Sequence, residues 1–270
     1  MTALEAAAAP DLPLTFETDA GIGYRAKLGL IVLETDQTIE PELRDLLGLE
    51  GVALYHSRIP SDREVTPETL ARMEANLPAA SRLLPAAAAL DVVGYGCTSG
   101  TTIIGEEKVA QAVRAGLEAN GGKRAGGTAV TNPLTAVKAA LRALEAVRIG
   151  FITPYLPDVT DAMRRHLEQQ GIVIMQMASF NQSEEEVVAR ITPASIRDAI
   201  LSVGRGEDCD AVFVSCTNLR VLPVIAEAEA ELGKAVISSN LALAWHMLRL
   251  AGIADSPPGR GRLFETTMTR

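Results

Sequence analysis

Two short stretches constrain this chain more than anything else in it. Asp91–Thr102, DVVGYGCTSGTT, runs from an apolar strand through Gly94 and Gly96 to a lone thiol, Cys97, and then to Thr98, Ser99, Thr101 and Thr102. Ala211–Arg220, AVFVSCTNLR, repeats the order of apolar strand, cysteine and threonine. A cysteine just past a buried strand, placed twice, predicts one site assembled from two half-sites. The spacing supports a repeat: 68 residues separate Gly29 from Cys97, and 66 separate Gly150 from Cys216. Internal repetition of this kind implies two similar units.

The rest of the pattern reads as alternating strands and helices. Apolar runs at Ala26–Leu33, Gly51–Ser57, Asp91–Tyr95, Thr128–Thr131, Val147–Thr153, Ile172–Ala178, Ala211–Val214 and Ala235–Ser238 predict strands. Between them, cap and proline signals predict helices. They fall at Ile39–Leu47, from Thr66 to about Asn76, from Pro78 to Leu90, from Thr102 to Asn120, from Asn132 to about Ala146, Asp158–Gln170, Pro223–Leu232 and Asn240–Leu250. Shorter helices are predicted after a capping box at Ser183-Glu184-Glu185-Glu186 and at Thr192-Pro193. With 47% apolar but only 4% aromatic residues, the core must be aliphatic, as parallel sheets covered by helices are. The expected fold is α/β, with two pseudosymmetric flavodoxin-like domains of parallel strands and the active site in the cleft between them. Residues 1–24 read as an irregular arm, 25–132 with 240–270 as the first domain, and 133–239 as the second. In open parallel sheets the ligand crevice lies outside the carboxyl ends of the strands, where both cysteines fall.

Composition excludes several classes of function. A net charge of −9 argues against nucleic acid or an anionic membrane as partner. No apolar run of 18 residues is present, and the Ala-rich start carries Glu5 without a basic segment, so neither a span nor a signal peptide is predicted. Three cysteines without a CxxC predict neither a disulfide framework nor a zinc site, and suit a reducing, cytoplasmic setting. No dinucleotide or phosphate loop is present, so no cofactor and no metal are expected.

A cysteine entering a helix is expected to have its thiolate stabilised and its pKa lowered by the helix pole. The amides and hydroxyls of Thr98, Ser99, Thr217 and Asn218 form nests for a carboxylate. Two thiols across a bound carboxylate support two reactions. One removes an α-proton and returns a proton to the opposite face, which is racemisation. The other adds a thiolate to an alkene, lets the bond rotate and expels it, which is cis-trans isomerisation. A non-catalytic metabolite sensor is the alternative outside enzymology. Cys209 reads as a core thiol. His56 reads as a strand-end residue with a satisfied hydrogen bond, His246 and Trp245 as packing at the domain seam, His166 as a surface helix residue, and Arg58 and Arg63 as loop charges or a lid.

The stretches GYGCTSGTT, VSCTNLR, VRIGFITPYLPDV and SSNLALAWHMLR resemble the Asp/Glu racemase superfamily, with its maleate cis-trans isomerases and arylmalonate decarboxylases. The likeness spans about residues 25–253 and is greatest to the ectoine-utilisation (EutA) branch. It implies cofactor-independent catalysis by Cys97 and Cys216, carboxylate contacts from Thr98 and Thr217, and Tyr155 and Asn181 in the pocket. It also implies a small carboxylate or amino-acid substrate and a homodimer. One departure stands out: where maleate isomerases look like SSNTT, this chain has Glu34-Thr35-Asp36-Gln37-Thr38. Asp36 in place of the substrate-binding asparagine would repel a second carboxylate and favour an ammonium group, by several kcal/mol at ~4 Å and an effective dielectric of ~20. The same aspartate could serve only to cap the helix beginning at Ile39.

Overall fold

The computed structural model describes residues 12–121 and 127–268. The first eleven residues of the predicted arm, including Glu5, lie outside the described residues, as do Gly122 and the last two residues of the chain. From Leu12 to Tyr24 the arm has no helix or strand and exposes Leu12, Leu14, Phe16 and Ile22.

The first half runs β1 (Ala26–Leu33), α1 (Ile39–Leu47), β2 (Val52–Ile59), α2 (Pro67–Arg82), β3 (Val92–Gly96), α3 (Thr98–Ile104), α4 (Glu106–Ala119), β4 (Ala129–Thr131) and α5 (Pro133–Ala143). The second runs β5 (Arg148–Thr153), α6 (Pro157–Gln169), β6 (Val173–Ser179), α7 (Glu185–Arg190), α8 (Pro193–Gly204), β7 (Ala211–Val214), α9 (Ile225–Leu232), β8 (Ala235–Ser238) and α10 (Ser239–Leu250). The eight strands form two four-stranded parallel sheets, ordered β2-β1-β3-β4 and β6-β5-β7-β8. The order is the same in both, so the repeat seen in the sequence is a repeat of topology. In each sheet the cysteine-bearing strand is central, paired with the first strand of its half. Leu28–Val32 pairs with Val92–Gly96, and Ile149–Ile152 with Ala211–Val214. Central strands buried on both faces need continuous apolar runs, and β3 and β7 are buried throughout.

Helix α10 closes the first half. Every residue from Ser239 to Leu248 is buried, as befits a helix enclosed on all sides. It packs on β3, β4, α1 and α5. Since α5 lies against α10, residues 133–143 pack on the side of the first sheet. The division of the chain at 132 and 240 is a proposal about folding units.

Three local expectations need correction. The helix from Thr66 does not stop before Pro78; α2 continues to Arg82 with the proline inside. Proline forfeits one backbone bond, but the buried stripe of Leu70, Met73, Leu77 and Ala80 runs through the site of the break. Gly116 of α4 lets the two helices touch there, since a Cβ on it would sit 2.3 Å from the Pro78 carbonyl oxygen. The helix after Cys97 is in fact two helices, divided at Gly105, whose φ of +96° interrupts the helical path. Ser183 does not cap α7 through its side chain. Instead its carbonyl accepts Val65 N–H (2.8 Å), and Glu185 N–H donates to Arg63 O (3.0 Å). Loop 63–65 of the first half thus forms a strap across the entrance of α7, with Glu64 and Glu184 paired antiparallel.

Two polar clusters also tie the halves together. Glu106 receives Lys138 Nζ (2.6 Å), the Thr135 hydroxyl and, from the second half, His166 Nε2 (3.0 Å). Burial pushes its carboxyl up, but these partners outweigh burial and hold it at about 2. His166, expected as a surface residue, is therefore an inter-half contact. Glu42 accepts Leu222 N–H (3.0 Å) and Asn240 Nδ2 (2.8 Å).

Candidate active site

Cys97 follows β3 directly and is the N-cap of α3. Its Sγ accepts the Gly100 N–H at 3.1 Å and lies 3.7 Å from the Ser99 hydroxyl. Cys216 lies two residues past β7, and its Sγ accepts Asn218 N–H at 3.3 Å. Its backbone has φ = +125°, a region that L-residues rarely enter. Such strain costs on the order of 1–3 kcal/mol and tends to persist where surrounding contacts fix it.

The two Cys-Thr segments meet in one hydrogen-bonded patch. The Thr217 hydroxyl donates to Gly96 O (3.3 Å), beside Cys97. Ser239 Oγ lies 2.8 Å from Thr98 Oγ1 and accepts Cys216 N–H (3.1 Å). A tyrosine lies beside each thiol, Tyr95 at Cys97 and Tyr155 at Cys216. Both phenols are buried, and burial raises both well above the ordinary value. Cys97 and Cys216 are only 2% and 1% exposed.

Asp36 is 3% exposed and its carboxylate is divided in use. Oδ1 accepts Thr38 N–H and Ile39 N–H, each at 2.8 Å, which is the capping role. Oδ2 is buried with no hydrogen-bond partner. The Thr217 hydroxyl is its near neighbour, but that proton goes to Gly96 O. Burial raises the Asp36 pKa, against the pull of the two amides, Thr217 and Arg58. Arg58 does not reach over the pocket. Its guanidinium bonds the carbonyls of Leu33, Glu34 and Asp36 and pairs with Glu40, so it holds the Asp36 loop in shape. Arg63 is exposed.

The remaining predicted residues divide. Thr98, Ser99, Tyr155, Thr217 and Asn218 are buried at the thiols. The Asn218 amide is already engaged inside the protein. Nδ2 donates to Glu185 Oε2 (2.7 Å) and Glu185 O (3.1 Å), while Oδ1 accepts Gln37 N–H (2.9 Å). It positions its neighbours rather than presenting a free group. Asn181 is exposed at φ = +53°, its N–H donating to Ser179 Oγ (3.0 Å). Asparagine tolerates that left-handed conformation.

Glu185, expected only as part of a capping box, lies near the thiols. It is 5% exposed, and its carboxylate bears on both of them. Glu185 shares the buried face of α7 with Val188 and Ala189, three and four positions on. Glu184 has Val187 and Val188 at the same spacing yet is exposed, so spacing alone does not single out Glu185. Tyr95 is legible beside Cys97, since residues two apart near a strand end share a face.

The expected acidic shift of the thiols is not found. Burial pushes Cys97 up to about 11, against the pull of Gly100 N–H and Ser99, with Glu185 pushing the same way. Burial likewise holds Cys216 well above its ordinary value; Glu185 and Asp36 add to the rise, while Tyr155 and Asn218 N–H oppose it. At Cys97, desolvation outweighs the start of a seven-residue helix; Cys216 opens no α-helix, so the expected pole is absent there. Cys209 is buried and donates to Ala211 O, and His246 is buried against the Thr131 hydroxyl (2.8 Å). Both fit their structural readings. Among the described residues, no three His, Cys, Asp or Glu side chains are grouped to hold a metal ion, and no helix is long and apolar enough to cross a membrane.

The family model for arylmalonate decarboxylase (Amdase) matches residues 72–264. The chain is 31% identical to the maleate isomerase of Nocardia farcinica over 243 residues, covering 88% of this chain and 94% of that one. The chain belongs to the arylmalonate decarboxylase and maleate isomerase family. It is an isomerase-type enzyme. A cysteine-to-alanine variant of the maleate isomerase Iso from Pseudomonas putida, solved with maleate, superposes with a TM-score of 0.82 at 27% identity, covering 91% of this chain and 99% of that one. A cysteine-to-serine mutant of the Nocardia farcinica maleate cis-trans isomerase, carrying a covalently bound succinylcysteine intermediate, superposes at 0.78 with 27% identity, covering 88% and 98%. Membership in this family sets aside a purely sensory role.

Proposed function

We propose that this enzyme is a cofactor-independent racemase of a small amino carboxylic acid, with Cys97 and Cys216 as its two acid/base groups. The observation that carries this reading is the unpartnered, buried Oδ2 of Asp36, an acceptor beside Thr217 that bears on the Cys216 thiol. An ammonium group satisfies that oxygen; a second substrate carboxylate is repelled by it. In the proposed step the substrate carboxylate lies against the amides around Thr98, Ser99 and Thr217. One thiolate takes the α-proton, and the opposite thiol delivers its own proton to the other face. Negative charge developing on the substrate carboxylate is met by these fixed dipoles. Burial raises both thiols, so the base forms as substrate binds. The resemblance to the ectoine-utilisation branch supports an acetylated diaminobutyrate as the substrate to try first. A reducing, cytoplasmic setting and a homodimer are part of the same proposal.

The second reading is maleate cis-trans isomerisation through a covalent cysteine adduct. It is supported by the maleate isomerases among the relatives, one of them solved with a succinylcysteine. Proton NMR in heavy water with small amino acids, Nγ-acetyl-2,4-diaminobutyrate and maleate separates the two. Loss of an α-proton signal is the expected result. Conversion of maleate to fumarate, with every α-proton retained, would establish the second reading instead.

A further inference from the structure

The Cys216 wall of the pocket carries two carboxylates, and one residue holds them in place. Asn218 donates its backbone N–H to Cys216 Sγ and its side-chain Nδ2 to Glu185 Oε2 (2.7 Å). Its Oδ1 and backbone carbonyl accept Gln37 N–H and the Thr38 hydroxyl (each 2.9 Å), which fixes the loop that aims Asp36. Cys216, Asp36 and Glu185 are therefore parts of one rigid assembly. From the other side, the strap holds the Glu185 backbone, its N–H donating to Arg63 O (3.0 Å). Among the described residues, neither Asp36 nor Glu185 forms an ion pair with a lysine or arginine; Arg58, the cation that bears on Asp36, is occupied by Glu40 and three carbonyls.

We infer that Glu185 is a specificity-determining residue, the second carboxylate of a cation subsite that it shares with Asp36. The ligand class is a small molecule bearing one or two ammonium groups beside its carboxylate. The inference rests on the amino-acid reading above and deepens it. Two buried carboxylates without counter-cations are costly, and a cationic ligand relieves both. Asp36 Oδ2 is buried and unpartnered. Glu185 supplies the second carboxyl, tied through Asn218 to the loop that carries Asp36. The titratable groups around the subsite are Cys97, Cys216, Tyr155, Asp36 and Glu185, with Glu42 and Arg58 behind Asp36. The same arrangement links binding to chemistry. A bound ammonium offsets the two carboxylates that oppose ionisation of Cys216, so the thiolate forms when the right substrate is present.

Calorimetric titration of the full-length enzyme with 2,4-diaminobutyrate and with maleate tests this without turnover. The wild type is expected to bind the diamino acid more tightly than maleate. Glu185→Gln is expected to weaken diaminobutyrate tenfold or more while strengthening maleate, a reversal that loss of packing alone does not produce. Asp36→Asn is expected to shift selectivity in the same direction. It retains an oxygen for the Thr38 and Ile39 amides, so it decides the matter if Glu185→Gln does not fold. Unchanged affinities in both variants, or a wild type that binds maleate as well as the diamino acid, would overturn the subsite. Exchange of an α-proton by the wild type with unchanged binding in the variants removes the subsite and leaves the proposed function. The selectivity reversal without any exchange removes the racemase and leaves the subsite.

Discussion

The two walls of this site share a topology and differ in construction. Cys97 sits on relaxed backbone at the start of α3, with Gly100 N–H on its sulfur and Tyr95 beside it. Cys216 sits at φ = +125°, with Asn218 N–H on its sulfur, Tyr155 beside it and the Asp36 and Glu185 carboxylates at its wall. Duplication of a β-α unit supplies two equivalent places for a thiol. The surroundings then make one wall a helix-capped thiol and the other a strained thiol facing acids. The proposed selectivity for an ammonium group rests on the second wall.

The comparison is broken most forcefully by removing either thiol. Cys97→Ser and Cys216→Ser should each lower turnover by roughly 10²–10⁴-fold, the usual worth of one acid/base group, while circular dichroism and melting temperature stay close to wild type. Serine is far too weak an acid to replace a thiol.

The next effect is on stability against pH. Burial raises Glu42 and Glu185 to about 7 in the folded chain, from 4.5. Each therefore contributes stability that is complete below the unfolded value and is lost as pH rises through about 7. The loss is on the order of 3 kcal/mol per carboxyl, at 1.36 kcal/mol per pK unit. Urea denaturation at pH 5 and pH 8 should show the wild type less stable at pH 8. Glu42→Gln should have a shallower slope, since Glu42 lies between the halves and away from the thiols.

A smaller effect isolates the strain. Cys216→Gly relieves a positive φ that Cys97→Gly does not, so it should be less destabilising than Cys97→Gly by about 1–3 kcal/mol. Equal costs in chemical denaturation would mean that the Cys216 backbone is not strained. The smallest effect falls on the bridge between the walls. Ser239→Ala leaves Cys216 N–H without its partner and should cost about 1–2 kcal/mol, measurable as a lower melting temperature.

The parts of this molecule that depend on local pattern were readable from the chain. Apolar runs of strand length, caps such as Thr66 and Asn132, and the spacing of the two cysteines were enough for the alternating elements and the parallel class. Asp36 was noticed because it stands where maleate isomerases resemble one another. What escaped depended on partners distant in sequence. Pro78 remains helical because α4 buries the stripe around it. Ser183 looks like a cap in the sequence, but the strap that satisfies α7 comes from residues 63–65. Glu185 is not legible as a pocket residue, because local sequence does not show which acid of 184–186 is buried. The thiols were expected to be acidic because a helix start is visible in sequence, whereas the depth of burial and the second carboxylate are not.

The central claim is that the two thiols serve opposite faces of one substrate carbon. It is tested most directly by α-hydrogen exchange in heavy water, using the separate enantiomers of the amino acid that the wild type racemises and the single variants Cys97→Ser and Cys216→Ser. Each variant should exchange the α-hydrogen of one enantiomer only, the opposite one in each case, without interconverting the two. Exchange of the same enantiomer by both variants, or continued racemisation by either, would contradict the account.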